Sequence, residues 1–271
     1  MKLAIVGVGN LGGALAEVLL SAGFCRNDMT LVARSGSSAE RCARLGLPVC
    51  GFESLGYHDL VVMTVKPQDV VAVCAHMRPA LSEHTVILSM MAGVPCSVVR
   101  DHTSHSAVAR AMPNLGAIVA ESATVYYVPP ECTQAQVLHV ERVVQSLGSA
   151  HRVEQEELLN VATAVAGSGP AYLCWLGEQM EHVAIAEGLS CADAHALVLQ
   201  TFKGAVAYLE HGGDRFAELR ARVTSPNGTT AAALTVLRES LSEEHVRAAV
   251  RAALDRSREL GLLAGGVTPL S

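Results

Sequence analysis

The stretch Val223-Thr-Ser-Pro-Asn-Gly-Thr-Thr230 has the makings of an anion site. Pro226, Asn227 and Gly228 rule out regular helix or strand, and Thr229 or Thr230 opens an alanine-rich run with helical spacing through Leu234, Val236 and Leu237. A helix start leaves about four backbone N–H groups without partners and carries a partial positive charge. Gly228 lets a ligand approach that backbone closely, and Ser225, Thr229 and Thr230 set hydroxyls beside it. The N–H groups of Gly228, Thr229 and Thr230 would suit a small carboxylate. The same residues would also make an ordinary helix cap in an exposed turn, so the remainder of the chain has to decide.

A second chemical stretch lies at the other end. Residues 2–7 form an apolar strand ending in Gly7-Val-Gly9-Asn10-Leu11-Gly12, after which Leu15, Val18 and Leu19 keep helical spacing. This is G-x-G-x-x-G between a strand and a helix, where the glycines serve a tight turn, close approach to a pyrophosphate and close helix–strand packing. A strand over Met29–Ala33 follows. NAD-binding chains of this kind place Asp or Glu at its end for the ribose 2′-OH. Here Arg34 and Ser35 stand there, a cation and a hydroxyl that suit a 2′-phosphate, unless Arg34 is only a solvated surface residue. NADPH is the expected cofactor, with NADH a weaker substitute. No metal is expected: His102 and His105 form a close pair without a third candidate ligand nearby.

These stretches need a scaffold. Strands over 59–65, 85–89 and 107–110 alternate with helices near 67–80 and 95–102, as in a parallel sheet covered on both faces. Ligands in such sheets sit beyond the carboxyl ends of the strands. Val65-Lys66-Pro67-Gln68, Met90-Met-Ala92-Gly93 and Met112-Pro-Asn114 fall there, and together are candidates for lining the nicotinamide and its ribose. A further strand fits 124–128 and a covering helix 132–148, after which the alternation stops. The chain therefore divides into a Rossmann-type domain, 1–152, and an all-α domain, 153–271, with helices over 191–211, 214–222, 229–238 and 242–260. The fold class is α/β, a doubly wound sheet followed by helices. The segment 173–210 is apolar on more than one face, which fits a two-fold dimer with interleaved helices, or packing onto the first domain. Gly167-Ser-Gly-Pro170 would let helix segments bend or approach closely, and Ser168 lacks the G-x-S-x-G surroundings of a nucleophile. The tail Gly261–Ser271 is small and glycine-rich and is expected to be mobile.

Composition sets the outer bounds. Of 271 residues half are apolar and 17% charged, and the net charge of −6 comes without any Lys/Arg block, so no nucleic-acid partner is expected. No apolar run reaches the ~18 residues of a membrane span, and glycines interrupt the leader-like start at once, so a cytoplasmic protein is expected. The eight cysteines lack any C-x-x-C pair and read as free thiols in a reducing compartment.

From Met1 to about Leu260 the chain resembles pyrroline-5-carboxylate reductase. The resemblance is carried by Gly7–Gly12, Val65–Gln68, Ala92-Gly93, Met112–Asn114, Gly167-Ser-Gly-Pro-Ala-Tyr172 and Val223–Thr230. It implies NADPH-dependent reduction of a cyclic imine to L-proline, a homodimer or an assembly of dimers, and a site where one subunit's cofactor domain meets helices of the dimer. It also implies that the Thr230 hydroxyl, the one catalytic group, lies near the imine nitrogen, with Ser225, Asn227, Gly228 and Thr229 around the substrate. Three departures stand out: Ala166 for a serine in Ser-Gly-Ser-Gly, Asn227 for a glycine in Pro-Gly-Gly, and Phe52 for an asparagine before Glu53. The alternatives are a related NADP-dependent imine reductase or hydroxyacid dehydrogenase, or a non-catalytic NADP-binding regulator. Hydroxyacid chemistry of this plan needs a lysine on the first helix after the cofactor domain, and the three lysines present, Lys2, Lys66 and Lys203, all lie elsewhere.

Overall fold

The apolar strands of the first half sort themselves by alternation. In β1 (Leu3–Val6) all four residues are buried, with Leu3 and Ile5 in one core and Ala4 and Val6 in another. Successive side chains point to opposite faces, so a strand covered on both sides has no polar positions. The computed structural model describes residues 1–33 and 38–264, so Arg34, Ser35 and the tail from 265 lie outside the described residues. Among them, β1, β2 (Met29–Val32), β3 (Val49–Cys50), β4 (Leu60–Met63), β5 (Val86–Ser89), β6 (Val108–Met112), β7 (Ser122–Tyr127) and β8 (Gly148–Arg152) form one sheet in the order 3-2-1-4-5-6-7-8.

Helices cover both faces. Leu15 and Leu19 of α1 (Asn10–Ser21) and Val140 and Val144 of α5 (Gln134–Gln145) join the core that holds Ile5, Val62 and Leu88. Val73 and Met77 of α3 (Val70–Met77) and Val99 of α4 (Cys96–Thr103) join the core with Val6, Met63 and Ile87. Helix α2 (Ser38–Leu45) runs between β2 and β3.

The sheet is not wholly parallel. β7 pairs antiparallel with β6, and β8 pairs parallel with β7. The short connection from Met112 to Ser122 leaves no room for a parallel crossover, whereas α5 supplies one between β7 and β8. The strand β8 escapes the sequence pattern because it is a polar edge, Gly-Ser-Ala-His-Arg, with no apolar run. Gly148, expected as a helix end, opens this strand at φ 133°, and a side chain there would run into the Ser122 backbone.

By compactness the chain divides at Ser168, and its described part from Ala252 onward groups with the first unit. The first unit closes with α6 (Leu158–Ala162) and a single π-helical stretch, Thr163–Gly167. The second unit holds α7 (Gly169–Ala186), α8 (Cys191–Gly212), α9 (Phe216–Arg222), α10 (Thr229–Ser240) and the start of α11 (Glu243–Ala264). Gly177 lets α7 and α8 meet closely, since a side chain there would press on Phe202. Trp175, Val183, Leu197 and Leu199 nevertheless stay more than half exposed on these two helices. The tail expected from Gly261 is in fact helical through Ala264. Among the described residues no helix is long and apolar enough to cross a membrane.

Candidate functional site

The turn after β1 is built by its own backbone. Gly7 N–H donates to Val32 O at 3.1 Å, and Thr64 Oγ1 donates to Gly7 O at 2.5 Å. Gly7 holds φ 96°, and a Cβ on it would lie 2.7 Å from Val65 Cγ1. A Cβ on Gly12 would collide with Gly7 O and Thr64 Oγ1. Both glycines are therefore required by the protein's own packing. Gly9 differs: a Cβ there would meet nothing within 4 Å, and its φ of −80° is open to any residue. Gly9 is also the N-cap of α1, which no side chain caps. An open cradle at an uncapped helix start, in a βαβ turn, fits the pyrophosphate of a dinucleotide. Asn10 is exposed at that helix start, while Leu11 packs on the core.

The other predicted cofactor residues fall at neighbouring strand ends. Val65 and the exposed Lys66 follow β4, and Pro67 opens a 3₁₀ turn closed by Asp69 N–H donating to Lys66 O at 2.9 Å. Ala92 and Gly93 follow β5, with Gly93 at φ 75°. Asn114 follows β6 and is tied on three sides. Its N–H donates to Ser122 Oγ (3.0 Å), its Oδ1 accepts from Gly116 N–H (2.9 Å), and its Nδ2 donates to Ala166 O (3.1 Å). The amide thus pins the end of β6 to the π-helical stretch and keeps one hydrogen for a ligand.

A buried group that sequence reasoning overlooked supports these ends. Arg110, two residues before the turn at Met112, is 2% exposed, and its Nη1 donates to Glu156 Oε1 at 3.3 Å. The same carboxylate oxygen accepts the Cys96 N–H, the first of α4, at 2.7 Å. Glu156 therefore caps α4 in trans while compensating a buried guanidinium, whose Nε and Nη2 find no protein partner among the described residues. Burial, with the Glu156 carboxylate adding to it, pushes the Cys96 thiol up, so this cysteine stays protonated and is no nucleophile. An arginine inside the apolar strand Val108–Met112 was the available signal; Glu156 gives none in the sequence.

In the second unit the loop before α10 is a tight turn. Gly228 N–H donates to Ser225 O at 3.1 Å across Pro226 and Asn227, and Asn227 holds φ 60°. Proline followed by a residue of positive φ is the type II pattern, and asparagine tolerates that conformation. The Gly228 N–H, expected among the anion donors, is thereby engaged within the loop. Helix α10 starts without a side-chain cap, leaving the N–H groups of Thr229 and Thr230 at its mouth. A Cβ on Gly228 would meet the rotatable Ser225 hydroxyl and lie 3.2 Å from Ser225 O, so the turn is tight there. Ser225, Asn227 and Thr229 are exposed and Thr230 half-buried.

Strand order 3-2-1-4-5-6, with a glycine turn at the carboxyl end of β1, is that of the doubly wound dinucleotide-binding fold. Residues 2–93 match the family model described as NADP oxidoreductase, coenzyme F420-dependent, and residues 156–260 match that of pyrroline-5-carboxylate reductase dimerisation. A pyrroline-5-carboxylate reductase of Pseudomonas aeruginosa is 34% identical over 96% of each chain. Pyrroline-5-carboxylate reductase 2 of Bacillus subtilis is 31% identical over 96% of this chain and 95% of its own. Among solved structures, the Plasmodium falciparum pyrroline carboxylate reductase with NADP bound superimposes with a TM-score of 0.86 at 27% identity, covering 96% of this chain and 98% of its own. The chain belongs to the pyrroline-5-carboxylate reductase family.

Proposed function

We propose that this protein reduces 1-pyrroline-5-carboxylate to L-proline with NADPH, the last step of proline synthesis. The observation that carries the reading is a kinship of 34% identity over 96% of the chain. The open turn at Gly9 and the uncapped start of α10 support it, since they supply the two anion sites such a reaction needs. NADPH, when bound, supplies the hydride that the imine carbon takes up. Gly7, Gly9, Asn10, Leu11 and Gly12 would hold its pyrophosphate, and Arg34 and Ser35 its 2′-phosphate. Val65, Lys66, Pro67, Ala92, Gly93 and Asn114 would line the nicotinamide and its ribose. Thr229 and Thr230 N–H groups would hold the substrate carboxylate, with Ser225, Asn227 and Gly228 shaping the turn beneath it. The Thr230 hydroxyl would orient the imine nitrogen or relay its proton. A cyclic imine protonates readily, so a strongly shifted acid is not required.

The functional division is proposed at 152/153, with the helical part serving both substrate binding and a homodimer or higher assembly of dimers. The half-exposed apolar side chains of α7 and α8 support a second copy as their cover. Eight free thiols support the cytoplasm as the compartment, and the absence of any basic block supports a small-molecule imine as partner in place of nucleic acid.

Two predictions test the assignment. Purified enzyme with 1-pyrroline-5-carboxylate should oxidise NADPH and yield proline, and Thr230→Ala should lower kcat/KM by about 10- to 100-fold without abolishing it, as for one lost hydroxyl contact. Binding of NADPH without turnover on that imine would discard the substrate. For cofactor choice, Arg34→Ala should raise KM for NADPH by roughly tenfold and leave KM for NADH nearly unchanged, because a charge–phosphate contact that only NADPH can make is removed. Equal changes for both cofactors would remove Arg34 from the 2′-phosphate site.

A further inference from the structure

The loop after β5 is gripped by α11. Gly93, at φ 75°, packs so closely on α11 that a Cβ on it would lie 2.7 Å from Leu260 Cβ and 2.8 Å from Ser257 O. The fit is mutual, since a Cβ on Gly261 would lie 2.5 Å from Gly93 O. Two glycines facing each other across a backbone-to-backbone contact leave neither side room to shift. The helix side is itself anchored: Ser257 is 2% exposed, and its Oγ donates to Asn160 Oδ1 of α6 at 3.0 Å.

We infer that Ser257 and Gly261 are positioning residues for the reaction, setting where Ala92 and Gly93 meet the nicotinamide end of NADPH. This rests on the assignment above of the Ala92–Gly93 loop to that end of the cofactor. Within a helix glycine is weaker than alanine, so helix stability by itself gives no reason for Gly261. Its presence in the last turn of α11 is explained by the carbonyl it must accommodate. A methyl group there pushes Gly93 and its neighbour outward by part of an ångström, and misplacement on that scale is costly at a reacting centre.

The test titrates wild-type and variant enzyme with NADPH and with 2′,5′-ADP, a fragment that keeps the 2′-phosphate end and lacks the nicotinamide. In Gly261→Ala the Kd for NADPH should rise about tenfold, while that for 2′,5′-ADP stays within twofold. A purely structural role would shift the melting temperature and move both affinities together or neither. Ser257→Ala, which removes one hydrogen bond and adds no bulk, should raise the NADPH Kd about threefold and keeps the test available where Gly261→Ala folds poorly. Gly93→Ala separates the two levels of the argument. If it weakens NADPH while Gly261→Ala and Ser257→Ala do not, the loop assignment stands and the role of α11 falls. If none of the three affects NADPH more than 2′,5′-ADP, both fall.

Discussion

Gly9→Ala is expected to weaken NADPH binding by about a hundredfold, a loss of roughly 2.7 kcal/mol, while the protein melts within a few degrees of wild type. The fold has no need of glycine at this position. Its φ of −80° is ordinary, and a methyl group would meet no atom within 4 Å. Alanine for glycine at an N-cap costs at most about 1 kcal/mol, which in a chain of this size is about 2–4 °C. The space a methyl would fill is the space a pyrophosphate needs to reach the N–H groups at the start of α1. Gly7 and Gly12 have a packing duty that Gly9 lacks, so variants at those two would confound binding with folding. Titration with NADPH beside a thermal melt checks the prediction. An alanine variant that binds normally would show that the ligand lies elsewhere.

Glu156→Ala is expected to destabilise the first unit by about 3–5 kcal/mol, or on the order of 10 °C in melting temperature. The substitution strands the Arg110 guanidinium at 2% exposure without its counter-charge and leaves the Cys96 N–H without its acceptor. The carboxylate itself is partly exposed, at 18%, which favours the lower end of that range. The pair is not stabilising merely by being charged, since a buried ion pair often does no better than apolar residues of similar volume. Arg110→Met combined with Glu156→Leu should therefore recover much of the loss, except for the α4 cap. Calorimetric melts of the single and double variants decide it. A Glu156→Ala protein melting within 2 °C of wild type would mean that Arg110 is compensated by something other than Glu156.

The plan of the fold and the glycine turn after β1 were legible in the sequence alone. Buried strands such as Leu3–Val6 and Leu60–Met63 announce themselves because both faces are covered, so every position must be apolar. The turn at Gly7–Gly12 is equally local, since a strand, a positive φ and a helix start lie within a few residues. The 223–230 loop was legible for the same reason: Pro226 and Asn227 specify a turn between themselves, and Gly228 and Thr229 open a helix. What a residue does for a distant neighbour could not be read. The edge strand β8 has no apolar signature, and only pairing with β7 makes it a strand. Glu156 carries no local mark, yet it holds Arg110 and the start of α4 from far along the chain. Gly261 looks like the start of a loose tail until Gly93 is set against it. Turns and two-sided strands are decided by steric and solvation rules acting within a few residues, whereas buried charges and backbone-to-backbone contacts are decided by which segments the fold brings together.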